Sequence, residues 1–254
     1  ELVDNGGSGA IKAGVRSDRE GYPLNSVFGL RYCGKIQTEE QLKKYVDKYK
    51  NTSTIGTLNN LRLGDNMFED VNKDGKLTEE DLVYLGTDDP KVQFSINAGL
   101  EWNGFDLAIV FQGAGKRTIW REESTWRIPM RAVYLNTSDQ HIGNTWSPDN
   151  PGAFFPALTN QSELNNYNYQ CSSWSVEDGA YLRLKNVTLG YSLPASLLAK
   201  TKILSKARVY VTGSDLWEHS KINDGWDPEA SRKVEKLERY PFLRTVTFGL
   251  NLTF

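Results

Sequence analysis

The chain is poor in the residues that most often carry chemistry. It has two histidines, two cysteines and two methionines in 254 residues. His141 and His219 stand alone, with no H-E-x-x-H spacing and no second imidazole at ligand distance in sequence. No nucleophile elbow, P-loop or dinucleotide fingerprint occurs. Carboxylates are plentiful, but nothing in the sequence sets two of them across a scissile bond. No enzyme is therefore expected. Lys and Arg total 30 against 32 Asp and Glu, a net charge of −2, so nucleic acid is not an expected partner. Cys33 and Cys171 leave a disulfide and two free thiols equally open. No run of 18 apolar residues exists, which excludes a membrane-spanning helix. It does not exclude membrane-spanning strands, whose apolar residues recur at every second position and average out in hydropathy.

What the chain does have is glycine, aromatics and period-two alternation. It carries 22 Gly, 12 Tyr and 7 Trp, a composition suited to twisted, turn-rich β structure. The last ten residues, TVTFGLNLTF, put Val246, Phe248, Leu250, Leu252 and Phe254 on one parity. Thr245, Thr247, Gly249, Asn251 and Thr253 fall on the other, which gives a strand one apolar and one polar face. Upstream, Val92, Phe94, Ile96, Ala98, Leu100 and Trp102 alternate in the same way. Asn103-Gly104 follows, a strong signal for a type I′ hairpin, and Phe105, Leu107, Ile109 and Phe111 resume the pattern. In YLRLKNVTLGYSL the apolar parity switches between Leu182/Leu184 and Val187/Leu189/Tyr191, which predicts a bulge near Asn186.

The expected class is all-β: an antiparallel transmembrane β-barrel segment with long external loops. Its strands are read at 92–102, 105–115, 180–192, 206–217 and 242–254. Short links alternate with long polar ones at 116–178 and 218–240, the asymmetry of periplasmic turns and extracellular loops. That parity places the C-terminus in the periplasm. Trp102, Tyr191 and Trp217, near strand ends, fit an interfacial aromatic girdle. If Leu250 lies at mid-bilayer, Leu250→Arg should cost about 2–4 kcal/mol and Thr247→Arg much less. Residues 1–91 read as external loop structure with one short helix over 38–50, capped by Thr38 with Gln41 completing a capping box. The first residues lack a basic start and apolar core, so a longer protein is expected.

Two loop features carry candidate sites. Residues 70–81, DVNKDGKLTEED, match the D-x-[DN]-x-[DN]-G opening of a Ca²⁺ loop. Asp70, Asn72, Asp74, the Lys76 carbonyl and Asp81 would supply the oxygens of a structural Ca²⁺. The competing reading is a set of Asx-turns using the same residues. Trp120, Trp126, Trp146 and Trp174 are candidates for substrate or partner contact. Against that, a sixty-residue loop needs a small core of its own.

Several stretches together resemble the SusC/RagA family of TonB-dependent transporters, in its C-terminal part. They are EGYPLNSVFGLRYCGKIQTEEQLKKY, DVNKDGKLTEEDLVYLG, WSPDNPGAFFPAL, DGAYLRLKNVTLGYSLP and RTVTFGLNLTF, in the family's order over about 14–254. The resemblance implies part of a 22-stranded outer-membrane barrel. It also implies a SusD-like surface lipoprotein as partner, the TonB complex acting through N-terminal parts outside this chain, and glycan or peptide cargo. Five strands cannot close a barrel, and lipid cannot satisfy two open edges. The alternative is a secreted, soluble, Ca²⁺-stabilised β module that binds carbohydrate.

Overall fold

The computed structural model describes residues 16–17, 21–56, 58–120, 139–222, 227–229 and 243–254. They form two compact units. One comprises residues up to Asp89 with Thr118–Glu177; the other comprises Pro90–Arg117, Asp178–Ala230 and Tyr240–Phe254. The boundary read from the sequence at 91/92 is thus corrected, because the 118–177 segment shares a core with the first ninety residues.

In the first unit, β1 (Ser26–Gly29) pairs antiparallel with β4 (Val83–Thr87), and β2 (Tyr32–Lys35) with β3 (Asn66–Phe68). Helix α1 spans Glu39–Tyr49, and α2 spans Ser162–Tyr169. The described part of 1–91 thus carries short strands beside the expected helix, joined by loop. The Thr38 hydroxyl accepts from the Gln41 N–H at 3.2 Å, as an N-cap does. The return arm differs from a capping box: the Gln41 amide oxygen accepts from the N–H of Gln37, at 2.9 Å, rather than from Thr38. The core gathers Leu30, Ile36, Tyr45, Tyr49, Phe68 and Leu77 from the first segment with Leu164 and Tyr167 from α2. Such a cluster is what lets a long connection hold one shape.

A buried asparagine joins the two segments. Asn168, fully inaccessible, accepts the Asn66 N–H at 2.8 Å and donates to Asp65 Oδ1 at 2.8 Å. Its own carbonyl accepts from the Asn66 side chain at 2.9 Å. Asn168→Ala strips the partner from a buried N–H and from a buried carboxylate. A loss of about 2–3 kcal/mol is expected, read as faster amide exchange over 62–68 and 162–170. Unchanged exchange in those two stretches would contradict it.

The second unit is one antiparallel sheet of five strands: β5 (Gln93–Trp102), β6 (Phe105–Ala114), β7 (Tyr181–Ser192), β8 (Lys206–Ser220) and β9 (Thr245–Thr253). The order across the sheet is β9-β8-β7-β6-β5. Asn103 at φ 48° and Gly104 at φ 83° close the β5–β6 hairpin, both left-handed as a type I′ turn requires. A short helix, α3 (Ala195–Leu198), lies in the β7–β8 link. The all-β class holds, and no described helix is long and apolar enough to cross a membrane. Cys33 and Cys171 are both free thiols.

Register gives the sheet its two faces. Leu250 pairs with Val209, Val209 with Tyr191, Tyr191 with Phe105 and Phe105 with Trp102. The next apolar row runs Phe248, Val211, Leu189, Leu107, Leu100. The register of β7 shifts between Leu184 and Asn186 against both neighbours. That bulge keeps Leu184 in a row with Phe111, Ile96 and Trp217 despite the switch in parity. Without it, half of β7 would turn its leucines to the polar face.

Candidate functional site: a two-faced wall and an acidic loop

The apolar face of the sheet has no protein over it among the described residues. Phe248 is 81% exposed, Leu100 64% and Trp102 71%. A contiguous apolar surface of this extent is rare on a soluble monomer and marks contact with another phase or protein. Edge strands β5 and β9 each pair on one side only among the described residues. Their free N–H and C=O groups call for further strands.

The opposite face is polar and built from side chains lying flat. Arg208 on β8 reaches across β7 to Asp106 on β6, with Nε to Oδ1 at 2.8 Å and a second contact at 2.5 Å. Gly190 makes the crossing fit, since a Cβ there would sit 2.4 Å from the guanidinium. Gly249 does the same for the Tyr210 ring, and Arg208 lies over that ring at 4.9 Å. Beside the Asn103-Gly104 turn this face opens into a hollow of about 550 Å³, lined by Glu101, Trp102, Asp106, Ser192 and Arg208.

Towards the other end of the sheet, Arg183 is buried, with 1% of its side chain exposed. Its guanidinium bonds Glu218, meets Asp227 at 2.7 Å and Glu229 at 3.1 Å, and has Asp215 at 3.9 Å. Lys185 adds a second cation, 3.2 Å from Asp215. The Tyr181 hydroxyl donates to Glu229 at 2.6 Å. This node ties residues 227–229 to the wall, next to a hollow of about 580 Å³ lined by Ser95, Gln112, Arg117, Tyr181 and Glu229. Neither arginine was singled out in the sequence. Each has the parity of the polar face, but its acidic partners become visible only when the strands are in register.

The 70–81 loop is wired by its own side chains. Asp70 Oδ2 accepts from the Gly75 N–H at 3.0 Å, Asn72 Oδ1 from Asp74 N–H at 3.0 Å, and Asp74 Oδ1 from Lys76 N–H at 2.8 Å. Asp81 accepts from Val71 N–H at 2.8 Å and Thr78 N–H at 2.9 Å, closing the loop end to end. Gly75 takes the left-handed φ of 82° that the sharp turn needs. Burial of the Asp70 carboxyl favours its neutral form, but the Gly75 N–H and the Lys48 ammonium outweigh this. The group titrates below the usual carboxylate range. Among the described residues, no three His, Cys, Asp or Glu side chains alone form a metal centre. Any ion here needs amide and carbonyl oxygens too.

The tryptophans are scattered. Trp120 is buried with Val27 and Cys171. Trp146 packs its ring over Gly64 and donates to Gln37 Oε1 at 2.9 Å. Trp174 lies tilted against Phe154, at 5.2 Å, and edge-on to Tyr169, at 5.6 Å, and donates to the Phe154 carbonyl at 3.2 Å. Trp126 lies outside the described residues. Trp146 and Trp174 both pack beside Phe154–Phe155 and are half-buried, whereas Trp120 is in the core.

Comparison with known proteins agrees with this architecture. No family model matches the chain. It is 28% identical over 93% of its length to TonB-dependent receptor P3 of Formosa agariphila, and covers 23% of that protein. It is 23% identical over 75% of its length to TonB-dependent receptor SusC of Bacteroides thetaiotaomicron, covering 18% of it. The solved RagAB peptide importer in its open-open state superposes with a TM-score of 0.64 at 23% identity, over 92% of this chain and 23% of that one. The chain thus spans about a quarter of the length of these relatives, and the structural likeness speaks for the fold.

Proposed function

We propose, from the premise that this chain is a segment of a SusC/RagA-family TonB-dependent transporter, that it forms barrel wall and external loops in an outer-membrane importer. The observation that carries the reading is the sheet with one uncovered apolar face and two open edges. In lipid such a sheet persists only as part of a closed barrel, where further strands satisfy both edges. The apolar rows then meet hydrocarbon, and the Arg208–Asp106 and Arg183 networks face the lumen. The C-terminus lies on the periplasmic side, and the first unit forms part of the extracellular mouth. Cargo is an oligosaccharide or a peptide. A SusD-like lipoprotein covers the mouth, and energy arrives from TonB through segments outside this chain. No bond is broken; the chemistry is binding and gated passage. The soluble carbohydrate-binding module is disfavoured, since it would leave the rows through Phe248 and Leu100 against water.

The test is period-two accessibility in membranes. Nitroxides placed one at a time at Leu100, Leu107 and Phe248 should be relaxed by lipid-dissolved oxygen. Those at Gly99, Ala108 and Thr247 should be relaxed by a water-soluble nickel chelate. If the first set is shielded from both agents, the apolar face packs on protein and the wall assignment fails.

A further inference from the structure

Loop 70–81 carries oxygens of the kind a cation site uses, and the Lys48 ammonium lies against the first of them, on Asp70. Asp70, its first residue, is only 7% exposed. One carboxylate oxygen, Oδ2, accepts from the Gly75 N–H at 3.0 Å and is 3.4 Å from Lys48 Nζ. The other, Oδ1, is buried and accepts no hydrogen bond. A buried carboxylate oxygen without a donor is costly unless a cation completes it. Lys48 is a poor permanent partner. Half of its side chain is exposed, and it reaches in from α1 at the long end of hydrogen-bond range. Asn72 Oδ1, Asp74 Oδ1 and Asp81 Oδ2 each accept one backbone N–H of the same short loop, and each keeps a second lone pair.

We propose that this loop binds one Ca²⁺, which takes the position next to Asp70 that the Lys48 ammonium now occupies. Asp70, Asn72 and Asp74 are the side-chain donors, with the Lys76 carbonyl and Asp81 completing the set. Mixed amide, carbonyl and carboxylate oxygens in a flexible loop suit Ca²⁺, whose coordination number is high and adaptable; Mg²⁺ demands stricter octahedral geometry. Asp81 is shorter than the Glu that usually closes such loops, so affinity belongs to the weak, extracellular class of about 10⁻⁴–10⁻³ M. Bound Ca²⁺ stiffens the connection between β3 and β4. That connection is already pinned to the stretch after α1 by Thr54 N–H to Leu77 C=O at 2.9 Å, and Leu77 is fully buried in the core. The inference concerns the first unit alone and does not depend on the transport reading.

The experiment is calorimetric titration of the detergent-purified, chelator-stripped protein with CaCl₂. One saturable site per chain is expected. Asp70→Asn should weaken it by about tenfold or more, and Asp47→Asn, which changes an exposed carboxylate paired with Lys50, should leave it unchanged. Lys48→Gln keeps every proposed ligand and removes the competing ammonium, so it should bind Ca²⁺ several-fold more tightly. Because that variant loses no loop hydrogen-bond acceptor, it answers the question even if Asp70→Asn unfolds the loop. No saturable heat up to about 10 mM Ca²⁺, well above that affinity class, would overturn the site. So would binding that survives Asp70→Asn intact. Equal or weaker binding by Lys48→Gln would overturn the exchange.

Discussion

Ile109→Arg is expected to lower the stability of the protein in lipid by about 2–4 kcal/mol, and Ala108→Arg by about 1 kcal/mol or less. The two residues are adjacent on β6 and differ only in the face they occupy. Ile109 stands mid-strand, in a row with Ala98, Val187, Gly213 and Val246. Ala108 shares its row with Gly99, Thr188, Thr212 and Thr247, on the face where Thr188 and Thr212 hydrogen-bond at 2.9 Å. A guanidinium at mid-bilayer has no water to meet, whereas one in the lumen stays solvated. The structure moves this test away from Leu250. The row of that residue ends beside the Asn103-Gly104 turn. Near an interface the penalty falls to about 0–1 kcal/mol. Urea unfolding in lipid vesicles measures all three. Equal losses for Ile109→Arg and Ala108→Arg would remove the distinction between the faces.

Arg183→Met should be the more damaging change in the polar network, costing about 3–5 kcal/mol. The loss does not come from one ion pair. The guanidinium is buried and shared among Glu218, Asp227, Glu229 and Asp215, with Lys185 as a second cation among the described residues. Removing it leaves these four acids with Lys185 as their cation among the described residues. Arg183→Lys should recover only part of the loss, because a point ammonium cannot fork to several carboxylates at once. The expected signature is local as well as global: residues 227–229 become sensitive to protease before the sheet unfolds. Wild-type protease resistance there in Arg183→Met would show that the node does not fasten this segment.

Some elements were legible because they depend on periodicity alone. The C-terminal strand, the Asn103-Gly104 hairpin and α1 each follow from residues a few positions apart. The parity switch between Leu184 and Val187 was legible too, since only an inserted residue keeps both halves on one face. The 118–177 segment was not. Its role depends on Leu164, Tyr167 and Asn168 meeting residues about a hundred positions earlier, and no local pattern encodes such a meeting. The same holds for the partners of the tryptophans: Trp120 joins Val27 and Cys171 in the core, and Trp146 lies against Gly64.

By itself, then, the sequence determined the five strands of the second unit, which of their faces are apolar and where the Asn103-Gly104 turn falls. A side chain's face is set by counting along one chain. Tertiary structure alone decided what crosses between strands: the Arg208–Asp106 bridge over Gly190, the four acids around Arg183, and the orphaned oxygen of Asp70 beside Lys48. Those depend on register and on loops returning to the same place, and charge and hydrogen bonding act over a few ångströms in space whatever the distance along the chain.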